Sequence, residues 1–501
     1  MASLGKRAGT RPARACASLG SSSWFAALRA IRRSATSQPI CTCCVCLSDA
    51  RVRTGRGRAE NSRGAEPVTS TQKAASMSAP PMPRPERLEL LRTNPLIEIT
   101  LLHRAMRLEL EAMCEATRAL AAAPANDGAA LAALRRRFRA FDAVFASHSA
   151  AEDDVVFPAL AACAGRDVAS HAAAEHIDEV ALVDGAAAAL DAAAARGRCD
   201  GATVAALQDL KEKLADHMDH EEGEIFPLLA EIPERELKRM AGLVLGARPA
   251  DVLELTIRLQ VQHLEPALAR HVLGTMCEVA RGTRFRRWLD RALGAAAGAP
   301  AAAPAAPAAP AAPAAPAAPA APRRRCPRHG HLARVAAPCC GQLVCCRRCH
   351  DARPGACDRA MDARAVTEMV CRACGARGPV GRRCAVCAAP QAGYYCGHCR
   401  HFDDSGAHTF HCPFCDVCRR GHGLGVDFHH CMRCNMCVDI TQLATHVCTG
   451  AAGRACGACG GDLAATPDRV VVLGCGHPAH ARCAAAPPGR CLVCARAAAT
   501  D

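Results

Sequence analysis

Between Asn94 and about Leu293, apolar residues recur at the spacing of one helix face: Leu96, Ile99 and Leu102, then Met106 and Leu110. Breaks at 123–128 (APANDG), 163–167 (CAGRD) and 195–201 (ARGRCDG) cut residues 94–230 into four helical stretches. Connections this short make neighbours antiparallel, so an all-α four-helix bundle is predicted, followed by a further helical stretch over 251–293. From 295 to 322 the chain is nearly pure Ala and Pro with an AAP repeat. Such a segment buries nothing and samples extended polyproline geometry, which predicts a spacer reaching up to about 85 Å that lets the flanking halves fold separately. Beyond it, 326–494 has few large aliphatic residues, so small modules held together by metal ligation are predicted in place of a conventional core.

Composition sharpens that division. Of 35 cysteines, 26 lie between Cys326 and Cys494, in CxxC pairs mixed with histidine. A secreted disulfide scaffold would be short and lack this pairing, which points to an intracellular metalloprotein. The formal charge is +14, but residues 1–92 alone carry 16 Lys/Arg against 5 Asp/Glu. The excess therefore belongs to a basic arm and not to a nucleic-acid-reading domain. The first 48 residues contain no Asp or Glu and include SSSWFAALRAIRR. Residues 1–92 thus read as a disordered basic arm, as an organelle-targeting segment, or as sequence upstream of a start at Met77. CTCCVC at 41–46 has no companion ligands nearby and is left unassigned. No uninterrupted apolar run approaches the roughly 18 residues of a membrane span, so a soluble protein of nucleus or cytoplasm is expected, or of an organelle if the arm is a transit peptide.

One phrase is written twice: HSAAEDDVVFP at 148–158 and HMDHEEGEIFP at 217–227, each His, three residues, Glu, four residues, Phe-Pro. On a helix, positions i and i+4 share a face, so His148 with Glu152, and His217 with Glu221, each present an imidazole and a carboxylate to one point. The other two helices offer His103 and His176. Four histidines and two glutamates inside a bundle suit a pair of iron ions with bridging carboxylates. His171 and His220 are rivals, ranked lower because His217 reproduces the spacing and His171 sits at the start of its helix. At these residues, 94–294 resembles a hemerythrin-like (HHE) domain. The resemblance implies a di-iron centre able to bind oxygen, held by His103, His148, Glu152, His176, His217 and Glu221. True hemerythrins carry a further His one turn beyond the third-helix ligand, where this chain has Val180, so iron or oxygen sensing is expected ahead of oxygen carriage.

In the cysteine-rich half, thiolate and imidazole at CxxC spacing suit tetrahedral structural zinc. Through APCC (337–340), CRRCHD (346–351), GYYC (393–396) and two HCxxCxxC blocks, this half resembles a CHY zinc finger at 326–390 followed by a CTCHY finger at 391–450. The first template implies ligands Cys326, His329, Cys339, Cys340, Cys346, Cys349, His350, Cys357, Cys371, Cys374, Cys384 and Cys387. The opening departs from the family pattern, with CPRH at 326–329, Ala333 where a Cys is usual, and Cys357 in place of a His. The second template implies Cys396, Cys399, His411, Cys412, Cys415, Cys418, His430, Cys431, Cys434, Cys437, His446 and Cys448. At four ligands per ion, each finger holds about three zincs.

Residues 455–495 resemble a cross-braced RING-H2 module, with Cys456, Cys459, Cys475, His477, His480, Cys483, Cys491 and Cys494 holding two more zincs, about eight in all. A RING contributes no catalytic residue of its own and positions a ubiquitin-charged E2 enzyme. This chain has Gly457-Ala458 and Leu492-Val493 where the family carries a bulky aliphatic residue and a Pro, which weakens the E2-facing surface. The whole arrangement resembles the BRUTUS-type iron-sensing E3 ubiquitin ligases of plants and algae. It implies an E2 partner and protein substrates among transcription regulators of iron homeostasis, without direct nucleic-acid or membrane binding. Plant members carry several hemerythrin segments where this chain has one, and the zinc ribbon that commonly follows their RING is not seen here. The rival expectation is a non-catalytic iron or oxygen sensor whose zinc fingers dock partners.

Overall fold

A computed structural model describes residues 94–297 and 326–497, apart from short stretches within them. The basic arm, the CTCCVC cluster and nearly all of the Ala/Pro spacer lie outside the described residues. Four long helices form the bundle: α1 (Ile97–Ala122), α2 (Gly128–Ala151), α4 (Ser170–Arg196) and α5 (Gly201–His220), with a short α3 (Phe157–Ala164) continuing α2. Local chemistry sets their ends. Asp127 accepts hydrogen bonds from the amides of Ala129 and Ala130, and Asp200 from that of Thr203, each satisfying N–H groups that a helix start leaves open. Gly197, at φ 70°, closes α4 in the left-handed conformation that costs glycine nothing. The interior is filled by Leu102, Met106, Leu110, Phe138, Phe141, Val183, Leu207 and Leu210, all buried.

The repeated phrase has a backbone counterpart. Immediately after α2 and α5, residues Glu152–Val156 and Glu221–Ile225 form single π turns, in which the Phe157 and Phe226 amides donate to the Glu152 and Glu221 carbonyls five residues back. Each π turn runs straight into Phe-Pro, whose Pro has no N–H to continue the ordinary ladder. Such bulges recur at functional sites because they re-aim side chains without ending the helix.

Beyond residue 230 the structure differs from the single further stretch expected. Four helices follow: α6 (Glu234–Ala247), α7 (Ala250–His263), α8 (Pro266–Val279) and α9 (Phe285–Ala297). Proline makes the first three breaks, with Pro233 and Pro249 at N-caps and Pro266 at a first helical position, where the missing amide costs nothing. No helix among the described residues is long and apolar enough to cross a membrane.

The zinc half is built of short hairpins. One four-stranded antiparallel sheet is ordered β2 (Leu343–Val344), β1 (Arg334–Ala336), β3 (Glu368–Val370), β4 (Arg377–Pro379). Two-stranded ribbons follow: β5 (Tyr394–Cys396) with β6 (His401–Asp403), β7 (Thr409–Cys412) with β8 (Val417–Arg420), β9 (Phe428–Cys431) with β10 (Met436–Asp439), and β11 (Val470–Val472) with β12 (Pro478–His480). Seven CxxC or Cys-Cys turns end on a residue at positive φ: Gly341, Gly375, Ala388, Arg400, Asp416, Asn435 and Gly460. This tight turn lets the amides of Cys399, Cys415 and Cys434 donate to the sulfurs of Cys396, Cys412 and Cys431 at 3.4–3.5 Å, which favours the thiolate form a metal needs.

The halves do not stand apart as the spacer suggested. Phe410, Phe414, Leu424 and Phe428 of the CTCHY finger join the same core as Phe285, Trp288 and Leu289 of α9. The Phe285 ring stacks 5.4 Å from Phe414, which in turn lies 4.9 Å from His430. The Arg284 amide donates to the Phe414 carbonyl at 2.8 Å, and Asn435 Nδ2 to that of Gly282 at 2.6 Å. Buried Asp416 takes Arg291 from α9 and Arg364 from the CHY finger. On α6, Gly246 lies so close to β9 that a Cβ there would meet the His430 carbonyl at 2.3 Å. The finger's aromatic residues are too few to enclose one another, and the helical half covers them.

Candidate metal centres

The bundle cage is assembled from all four long helices and both π turns. His103 from α1 and His148 from α2 bring their Nε2 atoms within 2.8 Å of one another. His176 from α4 and His217 from α5 form the opposite pair, with ring centroids 4.8 Å apart. Between the pairs stand the two glutamates. Glu152 lies 3.2 Å from His148 Nε2, 3.7 Å from His103 Nε2 and 3.7 Å from His176 Nε2. Glu221 lies 3.3 Å from His217 Nε2, 3.4 Å from His103 Nε2 and 3.8 Å from His176 Nε2. Each carboxylate thus reaches both imidazole pairs, as a bridging ligand must.

All six side chains are nearly or wholly removed from water. His176 Nε2, His217 Nε2 and all four oxygens of Glu152 and Glu221 have no hydrogen-bond partner. Burying unpaired polar atoms is costly, and this concentration of inward lone pairs fits a pair of cations. Three of the four outward nitrogens are held instead: His103 Nδ1 lies 3.1 Å from Glu222, His176 Nδ1 2.8 Å from Asp153, and His217 Nδ1 3.1 Å from Glu175, while His148 Nδ1 has no partner. Carboxylates behind imidazoles fix ring orientation and raise ligand basicity.

Sequence reasoning missed these outer carboxylates, and with them Glu179. That residue is fully buried, 3.6 Å from His217 Nδ1, and burial pushes its carboxyl up to about 7. Its position one turn beyond His176 on a buried face was the available signal. The rivals His171 and His220 lie outside the cage, on the far side of Glu175. Val180 lines a cavity of about 920 Å³ between the bundle and the CTCHY finger, which touches His176 and Asp153 on one side and Tyr394 and His411 on the other.

Protons compete with metal here. Burial pulls His103 and His217 down, but the negative charge of the surrounding carboxylates, Glu152, Glu222 and Glu221 at His103 and Glu221, Glu179 and Glu175 at His217, outweighs it, holding the two imidazoles up at about 9 and about 10. Both are protonated at neutral pH without metal, and both must deprotonate to ligate, so binding releases protons. Lowering pH from 7.5 to 6.5 will therefore weaken Fe²⁺ or Co²⁺ binding to the bundle, by roughly tenfold or more for one to two protons released. Anaerobic titrations at the two pH values check this, and an affinity indifferent to pH would refute it.

In the zinc half, the candidate ligands fall into groups of four. Cys326 Sγ lies 3.8 Å from His329 Nδ1, 4.0 Å from Cys346 and 3.8 Å from Cys349. The second group is Cys339, Cys340, His350 and Cys357, and the third is Cys371, Cys374, Cys384 and Cys387. The CTCHY finger interleaves its own three: Cys396, Cys399, His411 and Cys418; Cys412, Cys415, His430 and Cys437; Cys431, Cys434, His446 and Cys448. The β7–β8 and β9–β10 hairpins each contribute to two groups, so adjacent sites share a hairpin. His331, buried, stacks 6.1 Å from His329 beside the first group and was not foreseen.

The last eight ligands alternate. Cys459 lies 3.4 Å and Cys483 3.7 Å from His480 Nδ1, with Cys456 hydrogen-bonding into the same set. Cys494 lies 3.3 Å from His477 Nδ1 and hydrogen-bonds with Cys475 and Cys491. The first and third ligand pairs meet, as do the second and fourth, which is the cross-braced order. Leu492, in the position of the usual Pro, is 41% exposed.

Residues 94–229 match the hemerythrin HHE cation binding domain family. The chain is 32% identical over 162 residues to Zinc finger protein BRUTUS of Arabidopsis thaliana, covering 32% of this chain and 12% of that protein. It is 34% identical over 96 residues to E3 ubiquitin-protein ligase SRFP1 of Oryza sativa subsp. japonica, covering 19% and 33% of the two chains. It is 35% identical over 169 residues to Probable E3 ubiquitin-protein ligase RZFP34 of the same plant, covering 32% and 53%. The match to BRUTUS thus spans about an eighth of that relative's length. The chain joins a hemerythrin HHE domain to a cysteine-rich half whose Cys/His clusters fit zinc fingers, and its relatives are BRUTUS-like and RING-finger proteins.

Proposed function

We propose that this chain is a RING-type E3 ubiquitin ligase whose bundle binds a pair of irons and senses iron, or oxygen at iron. That state would set how the zinc half delivers regulators of iron homeostasis to a ubiquitin-charged E2. The observation that carries the reading is the seat of the cage. Helix α6 packs against the π turn that bears Glu152 and also lies on β9, whose His430 and Cys431 belong to two adjacent metal clusters. Met436 and Val438 on the paired strand share a small core with Val470 and Ala479 of the RING. A rearrangement at the cage is thus one helix and one finger away from the E2-facing module. The likeness to two rice proteins named as E3 ubiquitin-protein ligases, one of them probable, supports the ligase reading. Gly457-Ala458 favours the rival, a sensor whose fingers only dock partners, because it removes the apolar contact an E2 uses.

The experiment is autoubiquitination with a broad E2 panel, with and without Fe²⁺. His477→Ala removes the imidazole beside Cys494 and opens the second RING site, so transfer should fall at least tenfold, as expected when a structural zinc site is lost. If the wild-type chain transfers no ubiquitin with any E2, the docking-sensor reading replaces the ligase.

A further inference from the structure

The spacing His-x3-Glu occurs four times within 94–230. Two copies, at 148–152 and 217–221, build the cage. The other two, His171–Glu175 on α4 and His220–Glu224 at the end of α5, meet each other on the outside of the bundle. The His171 and His220 rings are 5.1 Å apart. His171 Nε2 lies 3.7 Å from Glu175 Oε1, and His220 Nδ1 lies 3.2 Å from Glu175 Oε2. The other nitrogen of His220 faces Glu224 Oε2 at 3.6 Å. Lys213 Nζ stands 3.9 Å from Glu175 Oε1, at the edge of contact range. The His171 side chain is 76% exposed while Glu175 is only 15% exposed, so the cluster opens to solvent on one side and is anchored on the other. Glu175 Oε2 also reaches His217 Nδ1 at 3.1 Å, and His217 Nε2 faces the cage.

We propose that His171, Glu175 and His220 form a second, solvent-facing site for a divalent first-row cation, ferrous iron in this chain, from which the cage is loaded. Mixed imidazole and carboxylate donors suit such ions. Donor separations of 3.2 and 3.7 Å approach the roughly 3–3.5 Å that ligands bound at about 2.1 Å impose. Glu224 behind His220 repeats the carboxylate backing found around the cage histidines, which orients a metal-binding ring. Because one carboxylate touches both His220 and His217, an ion held outside sits against the back of an inner ligand. The loading role rests on the cage reading; the outer site stands on its own donors.

The test uses the full chain with its zinc and iron sites filled, titrated anaerobically with Co²⁺ and followed by its ligand-field spectrum. Wild type should take up one Co²⁺ more than His171→Ala/His220→Ala. His171→Ala alone, a change at an exposed side chain that leaves the fold intact, should weaken that uptake at least about tenfold. With the bundle emptied of iron, the double variant should reload the cage with Fe²⁺ about tenfold more slowly and, after desalting, reach the same final cage content. His103→Ala/His148→Ala, which disables the far side of the cage, should keep the outer Co²⁺, so failure of the cage and of the outer site are read separately. Equal Co²⁺ uptake by wild type and the His171→Ala/His220→Ala variant overturns the site. Equal reloading rates overturn its loading role.

Discussion

Stripping zinc from the full chain with a strong chelator will unfold residues 326–494 and will also lower the melting temperature of the helical half. Ligation supplies on the order of 10 kcal/mol or more per structural zinc in small domains, far above what short hairpins gain from burial, so the fingers cannot survive its loss. The helical half then loses its cover. Phe285 and Trp288, 1% and 0% exposed, share a core with Phe414, Phe410 and Phe428, with Phe285 stacked on Phe414 and Trp288 against His398. Re-exposing large apolar side chains costs about 1.5–3 kcal/mol each. Several of them amount to a fall of roughly 10 °C or more in a domain of this length. Thermal melts followed by helical circular dichroism, with and without chelator, measure it. A helical transition that stays in place while the zinc half becomes protease-sensitive would show that the interface holds nothing together.

That coupling was hidden in the sequence for a physical reason. Phe285 and Phe414 are 129 residues apart across a spacer, and no periodicity records that two apolar stripes belong to the same core. Features written locally were legible. The four bundle helices follow from apolar spacing and polar breaks, and the six cage residues from a repeated phrase plus one histidine on each remaining helix. CxxC spacing marked the cysteine-rich half as metal-binding, and the Cys/His groups of four were expected from the resemblance to CHY, CTCHY and RING templates, including the alternation of the last four ligand pairs. The helices beyond residue 230 carried their own signal in Pro233, Pro249 and Pro266, which sit at helix starts where proline is at ease. The π turns explain Phe-Pro only afterwards, since the motif states that the helix ladder is interrupted and not how. Glu175, Glu179 and Glu222 look like ordinary helix carboxylates until tertiary contact puts them behind or beside imidazoles.

Replacing His148 and His217 together by alanine will abolish iron binding by the bundle and leave it helical. Together the substitutions take one imidazole from each histidine pair, leaving His103 and His176 with two carboxylates that already repel one another. Glu152 shows that repulsion: burial and the neighbouring Glu221 charge push its carboxyl up to about 7. With one nitrogen donor per position, neither ion keeps the ligand set that suits first-row metals in preference to magnesium or calcium. The helices do not depend on those rings. Leu102, Met106, Leu110, Phe138, Val183, Leu207 and Leu210 form the packed interior of the bundle, and the caps at Asp127 and Asp200 are distant in sequence from both substitutions. Iron per chain, measured after anaerobic loading and desalting, should fall from near two to near zero while the far-ultraviolet spectrum keeps its helical minima. An unchanged iron content would move the metal centre elsewhere in the chain, and a lost helical spectrum would mean that the buried imidazoles hold the bundle together by more than ligation.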